Sequence, residues 1–250
     1  MIDTNRAGAT LTVDLQALAE NYAFLKGQLG GNTICAAVVK SDAYGLGLEP
    51  IAVRLAHEGC NSFFVALMDE AISLRTILKQ HNKRANIYLL SGVAEGSEGD
   101  LDQFDLTPVL NSLAEIERWS SHAKTSGKRE AILNLDTGMS RLGLDTRELA
   151  TFANKPELAD GVEITYVMSH LACADDRASA KNQEQLCLFN EYRTRLGLKK
   201  ASFANSAGIL LGPEYHYNLV RPGAAIYGIQ PITNEINKIS QVIGLKGKIL

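Results

Sequence analysis

Short apolar, β-branched runs alternate along the chain with segments whose apolar positions recur every three or four residues. The runs predict strands and the spaced positions predict helices, because side chains repeat about every 2 residues in a strand and about every 3.6 in a helix. The predicted strands are 33–40, 62–67, 86–90, 106–110, 130–136, 162–170, 201–206 and 219–228. Eight strands with helices between them favour an α/β fold, a parallel eight-stranded (β/α)8 barrel of TIM type.

Two helix starts are marked by their capping residues. Asp14 is predicted to cap a helix, and Ser112 begins the capping-box pattern Ser-x-x-Glu that ends at Glu115. The apolar face of the first helix comprises Leu15, Leu18, Tyr22, Leu25 and Leu29.

Both ends of the chain differ from this alternation. Residues 11–13 form a short β-like run, and residues 239–250 alternate like an edge or antiparallel strand with no partner segment after it. We therefore expect a barrel over residues 1–235, and the start of a C-terminal β domain, otherwise missing, over 236–250.

An open Rossmann-like sheet is the main alternative to the barrel. Gly45 and Gly47 begin a possible dinucleotide fingerprint, but the third glycine would fall at Pro50. The sequence also contains neither a P-loop nor a GxSxG elbow. The barrel remains the preferred prediction.

Composition and charge exclude several classes of protein. The 250 residues are 46% hydrophobic with a formal charge of −3, which argues against disorder and against a basic nucleic-acid binder. No apolar run approaches the ~18 residues of a membrane span. Residues 1–10 contain no apolar signal segment, and the cysteines form no CxxC pair, which favours a cytoplasmic protein. The cysteines are Cys35, Cys60, Cys173 and Cys187.

The predicted strand ends contain the candidate chemistry, because active sites of such barrels lie at the carboxyl ends of the strands. A lysine at the end of an apolar strand, Lys40, can form a Schiff base or remove a proton if burial lowers its pKa, or it can simply extend into water. The other candidates at strand ends are Asp136 with Arg141, His170, Asn205, Ser206, Arg221 and Gly223.

Five segments resemble the signature motifs of alanine racemases, in the family's order. They read VVKSDAYGLG from Val38, DTGMSRLG from Asp136, SHLA from Ser169, ANSA from Ala204 and VRPGAAIYG from Val220. The resemblance implies a barrel that binds pyridoxal phosphate, followed by a C-terminal β domain. It implies racemisation of L- and D-alanine by removal of the Cα proton, and a role in making D-alanine for peptidoglycan.

The resemblance also implies roles for individual residues. Lys40 would hold the cofactor as a Schiff base and serve as the base on the D-amino-acid face. Arg221 would donate to the pyridine nitrogen, His170 would lie against the ring and contact Arg221, and Arg141 would face the substrate carboxylate. The phosphate would rest on Tyr44, Ser206, Gly223 and Ala224, with Asn205 and Tyr227 completing the cofactor site.

Two departures from the family are visible. Some members carry a carbamylated lysine where this chain has Asn134, so we expect Asn134 to donate a hydrogen bond toward Arg141, with a neutral partner or an anion such as chloride holding that arginine. The family's second base is a tyrosine of the partner subunit's C-terminal domain, and no residue within 1–250 matches its motif. We therefore expect this chain to bind cofactor but to racemise poorly.

Other functions remain open on the sequence alone. A single-domain pyridoxal-phosphate carrier would match the length of the chain, whereas the motifs favour a racemase. A D-amino-acid aldolase or lyase would need a metal cluster, and Asp175-Asp176 is better interpreted as a solvated loop pair, so no metal is expected. Alanine is the expected partner, with no nucleic acid or membrane. The resemblance implies a homodimer for the full-length family and leaves the oligomeric state of this chain open.

Overall fold

The computed structural model describes residues 7–235 and 238–249, and most of them belong to regular elements. The strands in this part are β1 (Ala9–Val13), β2 (Ile34–Cys35), β3 (Ala37–Val38), β4 (Ser62–Val65), β5 (Asn86–Leu89), β6 (Thr107–Leu110), β7 (Arg129–Asn134), β8 (Val162–Met168), β9 (Ala201–Ser202), β10 (Leu219–Val220) and β11 (Ile243–Gly247). The α-helices are α1 (Leu15–Gly27), α2 (Lys40–Gly45), α3 (Leu48–His57), α4 (Met68–Gln80), α5 (Glu98–Gln103), α6 (Leu113–Ser126), α7 (Thr146–Asn154), α8 (Ala180–Arg195) and α9 (Ser206–Leu211).

A closed parallel sheet forms the centre of the molecule. Its hydrogen-bonded order is β2-β10-β9-β8-β7-β6-β5-β4-β3. The run predicted as one strand over 33–40 is divided at Ala36, because β2 pairs with β10 whereas β3 pairs with β4. These two pieces of one strand close the sheet on itself, so the predicted eight-stranded parallel barrel is confirmed.

Apolar side chains fill the barrel and the space around it. The interior cluster consists of Ala36, Val38, Phe64, Tyr88, Val109, Ile132, Met168 and Leu219. A larger cluster lies between the strands and the helices, and it includes the fully buried Trp119 and Phe63. Each large side chain of this kind stabilises the fold by roughly 1.5–3 kcal/mol through removal of apolar surface from water.

The predicted helix starts are present. Oδ1 of Asp14 accepts hydrogen bonds from the backbone amides of Gln16 and Ala17, which are otherwise unpaired at the start of α1. Oγ of Ser112 accepts from the amide of Glu115 at the start of α6. These caps fix where the two helices begin.

The last two barrel strands are shorter than predicted. β9 ends at Ser202, and Asn205 caps α9 by accepting a hydrogen bond from the amide of Gly208 at 2.9 Å. β10 ends at Val220, because Pro222 has no N–H for a ladder and a 3₁₀ turn follows over Ala224–Tyr227. The shortening leaves room for irregular backbone at the carboxyl ends of both strands.

The tail strand was predicted to lack a partner, and that prediction is wrong. β11 pairs antiparallel with β1, so that Leu245 lies opposite Leu11 in a separate two-stranded sheet. The boundary predicted at 235/236 falls beside residues 236–237, which lie outside the described part, as do residues 1–6 and 250. The division into 1–235 and 236–250 therefore stays a prediction.

No described helix is both long enough and apolar enough to cross a membrane.

Candidate functional site

A cavity of about 760 Å³ opens at the carboxyl end of the barrel strands. Nearly all the residues predicted for the site line it, including Lys40, Tyr44, Arg141, His170, Asn205, Ser206, Arg221, Gly223 and Ala224. Residues from all five motif segments therefore meet in one place, as expected where parallel strands end at the same edge.

Lys40 and Tyr44 come from the turn that follows β3. Lys40 begins α2 instead of ending a strand as predicted, because the strand stops at Val38. The ring of Tyr44 packs against that of Tyr227, with 4.5 Å between their centroids. The structure places Tyr227 differently from the prediction. It is buried behind Tyr44, and its hydroxyl donates to the carbonyl of Val38 at 3.0 Å, so it supports Tyr44 from outside the cavity lining.

A small polar cradle lies beside Tyr44. Oγ of Ser206 accepts hydrogen bonds from the amides of Gly223 at 3.0 Å and Ala225 at 3.2 Å, which leaves its own hydrogen free to donate. The amide of Ala224 has no acceptor among the described residues. A Cβ on Gly223 would lie 2.3 Å from Oη of Tyr44, so only glycine allows this close approach. The cradle presents donors suited to an anion.

Arg221 is buried and is held by neutral acceptors. Its guanidinium donates to Oγ of Ser202, to the carbonyl of Ser169 at 2.6 Å and, at 3.5 Å, to Nδ1 of His170. Burial lowers the pKa of Arg221 to about 9, which still leaves it charged at neutral pH. Burial first, and then the positive charges of the neighbouring cations, lower the pKa of His170 to about 3. His170 is therefore neutral and can accept the hydrogen bond from Arg221.

Arg141 reaches the cavity from the loop between β7 and α7. Oδ1 of Asp136 accepts hydrogen bonds from the amides of Gly138 at 2.9 Å and Ser140 at 3.0 Å, which folds the start of the loop. The amide of Asp136 donates to the carbonyl of Leu144 at 3.0 Å, and the amide of Leu144 donates to the carbonyl of Asn134 at 2.9 Å, which closes the loop. Asp136 thus shapes the loop that presents Arg141.

Asn134 does not donate to Arg141, contrary to expectation. Its Nδ2 donates to Oδ1 of Asn111 at 2.8 Å, while Nδ2 of Asn111 donates to the carbonyls of Leu90 and Val109. This chain of amides fixes both orientations and leaves Oδ1 of Asn134 buried without a donor among the residues described. Asn134 and Arg141 nevertheless line the same cavity.

The charge on the cavity wall is unbalanced. Lys40, Arg141 and Arg221 line it, whereas Asp175 is the one carboxylate among the lining residues described. Asp175 and Asp176 lie in a loop, where Oδ1 of Asp176 accepts a hydrogen bond from the amide of Ala178. The described residues contain no group of three or more metal-ligating side chains. The wall is therefore electrostatically suited to an anionic ligand.

Three supporting residues had not been predicted from the sequence. Glu70, at the start of α4, accepts from three backbone amides of the neighbouring loops. Asn111 orients Asn134 as described, and buried Gln185 of α8 donates to Oγ1 of Thr137 and to the carbonyl of His170. A glutamine on the buried face of α8 was a usable signal, because buried polar groups need partners. Glu70 gave no comparable signal, since a glutamate is ordinary in the first turn of a helix.

Known proteins share this sequence and fold. Residues 13–231 match the family described as alanine racemase, N-terminal domain. A catabolic alanine racemase of Mesorhizobium japonicum is 45% identical over 97% of this chain and 63% of its own length. An alanine racemase of Rhodospirillum rubrum is 42% identical over 98% of this chain and 65% of its own length.

Solved structures agree with the sequence relatives. The crystal structure of alanine racemase from Bartonella henselae with covalently bound pyridoxal phosphate has a TM-score of 0.92 and 38% identity, covering 98% of this chain and 67% of that one. The biosynthetic alanine racemase of Pseudomonas aeruginosa has a TM-score of 0.81 and 30% identity, covering 95% and 65%. The chain spans 63% and 65% of the two sequence relatives described. On the match over residues 13–231, the chain belongs to the alanine racemase N-terminal domain family.

Proposed function

We propose that this chain is the cofactor-binding barrel of an alanine racemase, and that it binds pyridoxal phosphate through Lys40. The observation that supports this most directly is the convergence of Lys40, Tyr44, Ser206 and Arg221 on one cavity with an excess of positive charge. The relatives named above are racemases, which favours this function over the single-domain carrier. A cytoplasmic location belongs to the same proposal and agrees with the four free cysteines.

The residues present fit the cofactor. The close contact of Gly223 with Tyr44, the free hydroxyl hydrogen of Ser206 and the unpaired amide of Ala224 form a donor set for a phosphate group. No lysine is required there, because hydroxyls and backbone amides bind a dianion. When bound, pyridoxal phosphate supplies the electron sink that makes the Cα proton of an attached amino acid removable.

Lys40 has two tasks in the proposed reaction. Its ε-amine would hold pyridoxal phosphate covalently, and as a free amine it would take or return the Cα proton of the substrate on the D face. Positioned proton transfer of this kind contributes typically ~10²–10⁴-fold to the rate. Arg141, presented by the loop that follows β7, would bind the substrate carboxylate.

Arg221 favours racemisation over transamination. Its guanidinium stays charged at neutral pH, so it donates a hydrogen bond and cannot accept one. Facing the ring nitrogen of bound pyridoxal phosphate, such a donor would keep that nitrogen unprotonated and would make the cofactor a weaker electron sink. His170, being neutral, accepts from Arg221 and orients it.

A second base is needed on the opposite face, because inversion requires proton transfer on both sides of Cα. We propose that it is a tyrosine in the region that the relatives have beyond the part this chain spans, contributed across a homodimer. Large apolar side chains are exposed at the mouth of the cavity, where such a region would pack, namely Leu67, Leu142 and Ile229. The 250 residues alone should therefore bind the cofactor but racemise poorly.

Borohydride trapping tests the cofactor assignment. The purified chain is incubated with pyridoxal phosphate, reduced, digested and mapped by mass spectrometry. We expect the label at Lys40 and a yellow protein before reduction, and we expect Lys40→Ala to lose both. Lys79→Ala, which removes an exposed lysine at the end of α4, is the matched control and should keep both. Label distributed over surface lysines, with Lys40 unmodified, would refute the proposal.

Turnover tests the second base. D- and L-alanine are each supplied to the 250-residue chain with saturating pyridoxal phosphate, and the other enantiomer is quantified by chiral chromatography. We expect rates near background in both directions, because one face of Cα lacks a proton donor. Rapid racemisation in both directions would mean that a residue within 1–250 supplies the second base.

A further inference from the structure

The turn after β3 has an unusual backbone. Ser41, Asp42, Ala43 and Tyr44 have φ values of 56°, 52°, 54° and 60° and ψ values of 52°, 49°, 52° and 31°, which together form a left-handed helical turn. None of the four is glycine, and each such residue costs roughly 1–2 kcal/mol relative to the right-handed form. A turn of this kind persists only when the surrounding structure holds it.

The turn joins two residues that the proposed function uses. Lys40 and Tyr44 are four positions apart, which is about one helical turn, and both line the cavity. The covalent attachment point and a hydroxyl of the anion cradle therefore depend on the same short backbone segment. If that segment relaxed to the common hand, the two side chains would no longer be directed to the cavity together.

The carboxylate of Glu70 holds the start of this turn. Its Oε1 accepts a hydrogen bond from the amide of Ser41 at 2.6 Å. Its Oε2 accepts from the amides of Ala66 at 2.8 Å and Leu67 at 3.2 Å, directly after β4. One ionised group thus connects the strained turn to the end of the neighbouring strand, through charge-assisted bonds that are stronger than neutral ones.

Capping of α4 does not account for all of these contacts. A capping glutamate needs only the bond to the amide of Leu67, the residue before the helix. The bond to Ser41 reaches a different segment, 29 positions earlier in the chain. Glu70 itself is absent from the described lining of the cavity, so it acts through the turn and not on a ligand.

We propose that Glu70 is a positioning residue, whose carboxylate holds the left-handed turn that presents the Lys40 amine and the Tyr44 hydroxyl to the cofactor. The inference rests on the proposed function and deepens it. Glu70→Gln keeps the size of the side chain but places an NH2 group against backbone N–H donors on one side. The turn should then lose its anchor while the apolar contacts of α4 remain.

The first test measures how fast the folded protein captures pyridoxal phosphate at Lys40, by borohydride trapping over time. We expect Glu70→Gln to be slower than the unmodified chain by at least about tenfold, since small displacements of a reacting group have effects of that size. Asp69→Asn is the matched control, because it removes the same charge from the same helix start at an exposed position. It should capture at the unmodified rate.

A rescue experiment separates positioning from general stabilisation. Glycine adopts the left-handed conformation without steric cost, so Ser41→Gly should restore part of the capture rate in the Glu70→Gln background. A defect confined to the cap of α4 would not respond to a change at Ser41. Failure of rescue, or unmodified capture by folded Glu70→Gln, would overturn the proposal.

Hydrogen exchange tests the turn without cofactor. In the cofactor-free chain, the amides of residues 41–44 should exchange at least about tenfold faster in Glu70→Gln than in Asp69→Asn, because the bond to Ser41 is lost. Equal exchange in the two variants would overturn the proposal. If the unmodified chain left Lys40 unlabelled, the proposed function would fail, and the exchange result would still decide whether Glu70 holds the turn.

Discussion

The two ends of the barrel differ in whether their cationic side chains form salt bridges. At the carboxyl end, Lys40, Arg141 and Arg221 line one cavity and have no salt-bridge partner among the residues described. At the amino end, a hollow of about 440 Å³ also contains cations, but Arg129 is paired with Asp102 there at 2.8 Å. The cations at the carboxyl end therefore lack a carboxylate partner among the described residues, whereas Arg129 at the amino end is neutralised by one.

The amino end, where Arg129 is paired with Asp102, has the features of a structural site. Asp102 also accepts from His122 at 2.8 Å, and Arg75 donates to the carbonyls of Phe104 at 2.8 Å and Ala85 at 2.9 Å. Every one of these groups finds its partner within the barrel and its helices. In barrels of this class, chemistry occurs at the carboxyl end and the amino end contributes stability, and the charge pairing follows that division.

The largest expected effect comes from removing one arginine at each end. Arg221→Leu leaves the Ser169 carbonyl and Oγ of Ser202 without their donor, and each buried unsatisfied group costs about 1–3 kcal/mol. We expect at least about 2 kcal/mol lower free energy of unfolding and strongly reduced capture of pyridoxal phosphate. Arg129→Leu should cost about 1 kcal/mol at most, because its ion pair is partly exposed, and should leave capture unchanged.

Urea denaturation and borohydride trapping measure the two quantities on the same samples. Trapping is normalised to the folded fraction, so that instability alone does not count as lost binding. The comparison of the two ends would be broken if Arg129→Leu reduced capture as much as Arg221→Leu does.

A smaller effect concerns the dependence of stability on pH. The pKa of His170 is about 3 in the folded chain and about 6.5 in an unfolded one. Between these values the unfolded chain binds a proton that the folded chain does not. The free energy of unfolding therefore falls as the pH falls below about 6.5, by up to about 1.4 kcal/mol per pH unit.

Substitution of His170 should remove that dependence. We expect His170→Gln to lose less stability than the unmodified chain between about pH 7 and about pH 5, measured as the shift in urea midpoint. His57→Gln, at an exposed position of α3, should keep the full dependence. If the urea midpoint shifted with pH equally in the unmodified chain and in His170→Gln, folding would not lower the pKa of His170, and the prediction would be wrong.

Local patterns predicted the barrel well because each of its units is local. The helix caps at Asp14 and Ser112 and the apolar strand runs depend on residues close in sequence. The partner change at Ala36 was not predictable, since both halves of that run are equally apolar and only closure of the sheet divides them. The pairing of β11 with β1 was missed for a similar reason, because it joins the two ends of the described chain.

The candidate site shows the same limit. The motifs identified the residues that line the cavity, because those residues follow directly after strands. They gave no indication of the left-handed turn, whose sequence of Ser41, Asp42, Ala43 and Tyr44 contains no glycine. Glu70 and Asn111 were missed because their partners are backbone groups of other strands and loops, and such partners are set by the fold.

The smallest expected effect concerns Asp102 and the amino end of the barrel alone. Hydrogen bonding by Arg129, together with that of His122, holds the pKa of Asp102 below its usual value. A lowered carboxylate pKa means that the unfolded chain takes up the proton first as the pH falls. Its stabilising contribution is therefore complete above the unfolded pKa of about 3.9 and is lost as the pH falls through the folded value.

Asp102→Asn should accordingly lower the free energy of unfolding by about 1 kcal/mol at neutral pH. The difference from the unmodified chain should shrink once the pH is below about 3.9, a window well separated from that of His170. Asp100→Asn, an exposed carboxylate on the same helix α5, is the control and should change stability less. Because Asp102 lies at the amino end, capture of pyridoxal phosphate by Asp102→Asn should equal that of the unmodified chain. A loss of capture would mean that the two ends of the barrel are coupled, and that pairing of charge does not separate structure from function in this molecule.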